Sequence, residues 1–306
     1  MFRNSVARNY YVKITERSYF GNACFLFPAA FFLLVGVVPF VIVALQSLSS
    51  LDSAGRLSVG ASLEGYRDIL QMYRLSVLAQ IVRRALLVGT LDVILAIPVG
   101  YVLVRLLRPS YRTACLVLFT VPFFSSDVTR AFAWTVVLGN HGLVNRLLVA
   151  GGVVSRPVEW FIFDEFAVVV ALVSSTISFA IFPIVVRLLT IQSSVWLASA
   201  DLGISRATEF FGVALPLSIP GIMFGWIACF VVTVGSSAEA AMLGGTHQAS
   251  LARVISDLES ARKLSAVFAL CTVSVLLVMF VVFVAVMALR YRLQHLRLAF
   301  DGTEAK

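Results

Sequence analysis

The sequence predicts an all-α membrane protein with six transmembrane helices. The first observation is composition: of 306 residues, 60% are hydrophobic and only 13% are charged, whereas soluble proteins carry about 25% charged residues. The second observation is a set of six apolar stretches, each close to the ~20 residues that a helix needs to cross a bilayer. They lie at about 24–47, 81–104, 114–138, 166–189, 217–243 and 266–290.

The distribution of basic residues predicts the orientation of these helices. Cytoplasmic loops of membrane proteins are enriched in Lys and Arg. Arg105, Arg108 and Arg112 crowd the short loop after the second stretch, and Arg290 and Arg292 adjoin the sixth. We therefore expect both termini on the cytoplasmic side. The net charge of +8 is then explained by topology and not by nucleic-acid binding, because the basic residues are scattered over short loops.

This orientation predicts three regions along the chain. They are a cytoplasmic N-terminal segment at 1–23, a six-span domain at 24–290 with a cytoplasmic loop at about 190–216, and a cytoplasmic tail at 291–306. The first apolar stretch is too long for the core of a secretory signal peptide, and no small-residue cleavage site follows it. The first outer loop, about 48–80, contains SLEGYRDIL, which we expect to form an amphipathic surface helix.

A semi-polar segment at 197–222, LASADLGISRATEFFGVALPLSIPGI, interrupts this apolar pattern. It carries the charged residues Asp201, Arg206 and Glu209, as well as Gly203 and Pro216. A loop that only joined two spans would not need these charges and turn residues. The composition therefore indicates a docking element for a soluble partner.

The spacing in this segment resembles that of permease subunits of ATP-driven (ABC) importers. Their cytoplasmic loop has the pattern Glu-Ala-Ala, three residues, Gly, nine residues, Ile-x-Leu-Pro. In this chain, nine residues separate Gly203 from Val213-Ala214-Leu215-Pro216, and Pro220-Gly221-Ile222 matches the usual continuation. Leu197-Ala198-Ser199 stands where Glu-Ala-Ala is expected, so the acidic residue of the pattern is missing.

Two further segments resemble the polyamine (spermidine/putrescine) branch of these permeases. Members of that branch have a Pro, then Arg-x-x-Ala-Trp, then Leu-Gly-x-x-Gly-x-x-Asn. The segment PFFSSDVTRAFAWTVVLGNHGLVNRLL matches at Pro122, Arg130, Ala133, Trp134, Leu138, Gly139, Gly142 and Asn145. Leu243-Gly244-Gly245 provides the other match. Together the three matches cover roughly residues 80–290.

The resemblance implies the type I importer (MetI-like) fold and a set of partners in the bacterial inner membrane. Two permease subunits, a heterodimer in the polyamine branch, form the pore above a dimer of ATPase subunits. A periplasmic or extracellular binding protein delivers the solute. This chain has no GxxxxGK[ST] motif for binding nucleotide phosphates. We therefore expect no enzyme activity and no cofactor in this chain, with ATP-Mg bound by the ATPase.

In this picture, residues from about Leu197 to Phe210 form a coupling helix. Exposed apolar side chains at Leu197, Ile204 and Phe210 would fill a groove on the ATPase. Gly203 permits a sharp turn, and Pro216 limits continuation of the helix. A loop helix that rests on the membrane face is the alternative. The residues assigned to ATPase coupling are Leu197, Ala198, Ser199, Asp201, Gly203, Arg206, Leu215 and Pro216.

Charged residues inside the spans are candidates for the solute path, because they are costly in lipid and usually face a cavity or a partner. Carboxylates could meet the amines of a cationic solute, and an indole ring could add a cation–π contact. The candidates are Asp92, Asp127, Arg130, Trp134, Ser236 and Glu239.

Each candidate acid also has a structural alternative. Asp127 and Arg130 are spaced for an internal ion pair on one helix face. Asp92 is either a solute contact or a helix–helix hydrogen bond. Glu239 is expected near the outer interface, where a solvated carboxylate costs little. The histidines and cysteines form no cluster, so no metal site is predicted.

The sequence leaves the solute open. A polyamine or a similar small cationic compound follows from the branch, while opines, amino-acid derivatives, phosphonates and ferric iron travel through related permeases. A secondary transporter is a further alternative, although such proteins usually contain internal repeats and none is clear here. A membrane-embedded enzyme would need a convergent set of catalytic side chains in the spans, and only Asp92, Asp127 and Glu239 are available.

Overall fold

The computed structural model describes residues 26–51, 57–58, 62–70, 72–158, 161–245 and 250–301. The predicted N-terminal segment and the end of the predicted tail lie outside these residues. Two short strands, β1 (Ser50–Leu51) and β2 (Leu57–Ser58), pair antiparallel. The helices are α1 (Leu26–Gln46), α2 (Glu64–Ile69), α3 (Met72–Tyr101), α4 (Pro109–Phe124), α5 (Asp127–Leu138), α6 (Leu143–Ala150), α7 (Glu165–Leu189), α8 (Ser193–Asp201), α9 (Arg206–Gly235), α10 (Ala238–Leu243), α11 (Leu251–Ser260) and α12 (Leu264–Asp301).

The number of long apolar helices agrees with the six-span prediction. Within the part of the chain that the structure describes, five helices are long and apolar enough to cross a membrane, and a bent pair, Pro109–Phe124 with Asp127–Ala150, brings the number to six. The chain divides into two compact units, Met1–Ile69 with Ala261–Val273, and Leu70–Ser260 with Ser274–Lys306.

In the smaller unit, the predicted surface helix is present as α2. The Tyr66 hydroxyl lies 2.7 Å from Oγ of Ser47, in a hydrogen bond that ties this helix to the end of α1. The Lys263 ammonium forms an ion pair of 2.9 Å with Asp68.

The second span begins earlier than predicted, because α3 already includes the residues before 81. Arg83 and Arg84 lie within this helix. Arg83 donates to the Glu165 carboxylate at the start of α7, at 2.5 Å.

The predicted third span, 114–138, is not a continuous helix. Its two halves meet at an angle of 102°, and the chain is extended at Ser125 and Ser126, with ψ values of 136° and 142°. Pro122 lacks the amide hydrogen that would continue the helical ladder, and serine side chains compete for backbone hydrogen bonds. Together these residues explain the break.

The predicted fifth span, 217–243, has different ends in the structure. The helix begins at Arg206 and ends at Gly235, and a separate short helix, α10, follows. Ser236 is extended at ψ 125°, and its hydroxyl donates to the Val232 carbonyl at 3.0 Å. Gly235 and the two serines that follow it are poor helix formers, which accounts for this end.

The core of the larger unit is formed by α3, α7 and α9, which all pack against one another. Gly221 on α9 allows the closest approach to α7, since a Cβ there would lie 2.7 Å from the Pro183 carbonyl oxygen and 2.9 Å from Cβ of Arg187. Small residues at such contacts are the usual means by which membrane helices approach closely.

Replacing Gly221 with alanine tests this packing. We expect Gly221→Ala to lower the free energy of unfolding by about 1–3 kcal/mol, because the added methyl group must push two backbones apart. Gly212→Ala is the matched control, since a Cβ at Gly212 meets no atom within 4 Å. Thermal unfolding of the purified protein measures both, and an equal effect of the two substitutions would contradict the close-packing explanation.

Candidate functional site

The predicted docking segment folds as a helix, a turn and a second helix. After α8 the chain turns at Gly203, whose φ of 63° favours glycine over any residue with a Cβ. The next helix is capped by Ser205, whose Oγ accepts a hydrogen bond from the Thr208 amide at 3.1 Å, an arrangement typical of helix N-termini. The turn at Gly203 is therefore present as predicted.

Two other expectations for this loop are wrong. Residues from Leu197 to Phe210 do not form one helix, because the turn at Gly203 separates α8 from α9. Pro216 does not limit the second helix, which continues to Gly235. Within this helix, a π-helical turn at Phe210–Ala214 comes directly before the regular α-helical part. Pro216 therefore falls in the first turn of that part, where proline is tolerated.

The loop exposes apolar side chains, although not all of those predicted. Leu197 is 63% exposed, Leu202 is 77% exposed and Phe211 is 65% exposed. Ile204 is only partly exposed. Phe210 instead packs edge-to-face on the Tyr101 ring, with centroids 5.2 Å apart. We call Leu197, Leu202 and Phe211 the exposed loop residues.

The remaining predicted loop residues divide into two groups. Ser199 is buried, and its hydroxyl donates to the Val195 carbonyl within α8 at 3.0 Å, while Leu215 is partly buried. The other four are exposed: Ala198, Asp201, Arg206 and Pro216.

Glu209 is the important loop residue that the sequence did not single out as a site. Its Oε1 accepts hydrogen bonds from Nε of Arg105 at 2.6 Å and from the Tyr101 hydroxyl at 3.2 Å. Its Oε2 accepts from Nη1 of Arg206 at 3.3 Å. The Arg105 guanidinium also lies 4.9 Å from the centre of the Trp196 ring. The available signal was an acidic residue on one predicted cytoplasmic loop and a cluster of arginines on another.

A second polar cluster lies at the break in the third span and centres on Arg130. Its Nη1 donates to the carbonyl oxygens of Pro122 and Ser125, at 2.6 and 2.7 Å. Its Nε donates to Oγ of Ser175 on α7 at 2.9 Å, and its Nη2 donates to Asp127 at 2.5 Å. The ion pair predicted from the i, i+3 spacing is present, and the same arginine caps the end of α4.

The residues that follow in the polyamine-like segment have structural partners. The Trp134 indole donates to Oγ of Ser174 at 2.7 Å. Asn145 is buried; its amide donates to the Gly139 carbonyl at 3.1 Å, and its oxygen accepts from the Val158 amide at 2.8 Å. Asn145 thereby fixes the turn after α5 and the loop after α6.

Glu239 does not occupy the solvated position that was expected. The residue is fully buried, because it lies in α10, which packs against α5 and α7. Its Oε1 lies 3.2 Å from Oγ of Ser175. Its Oε2 has no hydrogen-bond partner among the described residues.

Asp92 lies within the packing of the core helices. It is fully buried, and Thr176 on α7 donates to its Oδ2 at 2.6 Å. The Cys229 thiol on α9 donates a hydrogen bond to the backbone carbonyl of the same Thr176, at 3.3 Å. Of the two alternatives for Asp92, the structure therefore contains the helix–helix hydrogen bond.

Comparison with known proteins agrees with this fold. Residues 92–295 match the family of binding-protein-dependent transport system inner membrane components, and the chain belongs to that family. It is thus a permease subunit of an ABC importer, a multi-pass membrane component of a transport system rather than an enzyme.

Curated relatives include polyamine permeases. The chain is 27% identical over 222 residues to the spermidine/putrescine transport system permease protein PotB of Haemophilus influenzae, covering 72% of this chain and 76% of that protein. It is 24% identical over 218 residues to PotB of Escherichia coli K12, covering 71% and 78%.

Solved structures with the same fold come from alginate import. A bacterial ABC transporter involved in the import of the acidic polysaccharide alginate has a chain that aligns with a TM-score of 0.66 at 16% identity, over 91% of this chain and 98% of that one. The alginate transporter in complex with its alginate pentasaccharide-bound periplasmic protein aligns with a TM-score of 0.64 at 14% identity, over 89% and 94%. At these identities the likeness establishes the fold alone.

Substitutions at Arg130 test its capping role. We expect Arg130→Ala to lower the melting temperature of the purified protein clearly, because each hydrogen bond to a charged group contributes about 1.5–3 kcal/mol. Arg130→Lys should recover only part of the loss, since an ammonium group cannot reproduce the planar fork.

The matched control is Asp127→Asn. The Asp127 side chain is 57% exposed, and exposed ion pairs contribute about 0–1 kcal/mol. If Asp127→Asn destabilised the protein as much as Arg130→Ala, the ion pair and not the carbonyl contacts would stabilise the break.

Proposed function

We propose that this subunit forms half of the import pathway for a polyamine or a similar small cationic compound, and that its 197–216 loop couples the pathway to a separate ATPase. The exposed loop residues are the observation that carries the coupling. Leu202, at the turn between α8 and α9, is 77% exposed. Apolar side chains on a helical element that inserts into a groove are a common recognition mode.

The other parts of the complex follow from the resemblance. A second permease subunit, a different chain as in the polyamine branch, completes the pore in the bacterial cytoplasmic (inner) membrane. An extracytoplasmic binding protein delivers the solute, as the periplasmic protein in the alginate complex suggests. ATP-Mg is bound by the ATPase dimer and not by this chain.

Exposure identifies the acid best placed to meet a cationic solute. Asp92 and Glu239 are fully buried, whereas the Asp127 side chain is 57% exposed at the break between α4 and α5. A half-exposed carboxylate beside irregular backbone is typical of positions that line a cavity, because such backbone is not tolerated against lipid. Together with the PotB relatives, this supports a cationic solute.

A charge at Leu202 tests the coupling. We expect Leu202→Glu to reduce recovery of the ATPase with the affinity-purified permease, because burying an uncompensated carboxylate in an apolar groove is unfavourable. Leu143→Glu, which places the same charge on an exposed leucine of α6, is the control. Quantified co-purification measures the effect. Undiminished recovery with Leu202→Glu would contradict docking through this residue.

Uptake into proteoliposomes that contain the whole transporter tests the solute. We expect labelled spermidine or putrescine to accumulate with ATP inside and loaded binding protein outside, and Asp127→Asn to reduce the rate because it removes the accessible negative charge. Asp92→Asn keeps an oxygen for Thr176 and should have little effect. Equal rates for Asp127→Asn and the unchanged chain would exclude Asp127 from the path, and no uptake of either polyamine would exclude the solute class.

A further inference from the structure

The docking loop also has a buried side, which packs against the rest of the chain. While the exposed loop residues face outward, the Glu209 side chain is only 3% exposed. Glu209 and four neighbouring side chains form a cluster that we call the loop clamp: Tyr101, Arg105, Trp196, Arg206 and Glu209.

The loop clamp joins three separate parts of the chain. Tyr101 ends α3, and Arg105 lies just beyond it at the end of the second span. Trp196 lies in α8, and Arg206 and Glu209 open α9. Both helices of the docking loop are therefore attached to the end of one span.

The contacts in the loop clamp fix direction as well as distance. Arg105 reaches both carboxylate oxygens of Glu209, with Nε at 2.6 Å and Nη2 at 3.4 Å. A two-pronged contact between a guanidinium and a carboxylate restrains orientation more than a contact with a single point charge does. The stacking of Arg105 on Trp196 restrains the guanidinium further. A movement of the loop would therefore carry the end of the second span with it.

The backbone on both sides of the loop clamp is unusual. Arg105 lies in a π-helical turn, Val102–Leu106, and a second one, Phe210–Ala214, begins directly after Glu209. Well under about 1% of residues in globular proteins adopt this conformation, and it occurs frequently at functional sites. Two such turns beside one ion pair set this end of the spans apart from the regular core helices.

We propose that Glu209 is a positioning residue, through which movement of the docking loop is passed to the second span during transport. This rests on the proposed docking of the loop to an ATPase and adds the internal route that the movement takes. Stability alone is a weak explanation for the loop clamp, because a buried ion pair can often be replaced by apolar side chains without loss.

The test uses the complete transporter in proteoliposomes, with partner permease, ATPase and loaded binding protein. Glu209→Gln keeps the shape and one acceptor oxygen but removes the charge, and Arg105→Gln removes the opposite partner. The double substitution Glu209→Arg with Arg105→Glu restores an ion pair in reverse. Arg108→Gln is the control, since Arg108 lies on the same short loop, is exposed and has no ion pair with a described residue.

Three quantities separate positioning from assembly: recovery of the ATPase, basal ATP hydrolysis, and stimulation of hydrolysis by the loaded binding protein. We expect both single substitutions to assemble and to keep basal hydrolysis, while stimulation and uptake fall at least about fivefold, the lower end of typical coupling between sites. The reversed pair should recover part of the stimulation, and Arg108→Gln should match the unchanged chain.

The outcomes distinguish this proposal from the function on which it rests. Unchanged stimulation in Glu209→Gln would overturn the role of Glu209 and leave ATPase docking intact. Failure of the unchanged chain to recover any ATPase would overturn the docking itself.

A distance measurement keeps the proposal testable should the single substitutions prevent assembly. Spin labels at Arg108→Cys and Ser194→Cys, on a background without the native cysteines, bracket an otherwise intact loop clamp. If the clamp moves as a unit, the distance between the labels is the same with and without bound ATP. A distance that changes on ATP binding would overturn the proposal.

Discussion

The requirement that backbone polar groups be satisfied inside a bilayer governs the arrangement of this permease, because lipid offers no alternative partner. At the break between α4 and α5, the Pro122 carbonyl oxygen accepts a long 3.3 Å bond from the Ser125 amide. One arginine side chain, Arg130, donates to the carbonyl oxygens of both Pro122 and Ser125. The charge that this introduces is compensated locally by Asp127. An arginine at this point of the polyamine-like segment is therefore explained by the backbone before any solute is considered.

The buried acids of the core also have polar partners from neighbouring helices. Ser175 and Thr176, consecutive residues on α7, provide hydroxyl partners for Glu239 on α10 and Asp92 on α3 respectively. Both carboxyl groups are fully buried. Irregular backbone and a partly exposed carboxylate occur together at Asp127 in the broken span, which is why the proposed contact with a cationic solute is assigned there.

The features that the sequence predicted correctly depend on average hydropathy or on the conformational preference of a single residue. Mean hydropathy over a span-length window finds the membrane helices, and the turn at Gly203 follows from a property of glycine itself. The same averaging conceals short breaks such as those at Ser125–Ser126 and after Gly235, so the third span was predicted as continuous and the fifth with the wrong ends. Glu209 was missed because its partner Arg105 is 104 residues away in the sequence, and pairing at that separation depends on how three helices pack.

The acidic residue that the family pattern has at the position of Leu197 is missing, but the same loop contains the buried acid Glu209. The outer side of the loop offers leucine and phenylalanine side chains, which match a partner by shape and do not demand a fixed angle. The inner side holds a carboxylate between two arginines and a tyrosine, where geometry is strongly restrained. In the proposed function, such a loop would tolerate variation where it docks on the ATPase and would pass movement on where it contacts its own span.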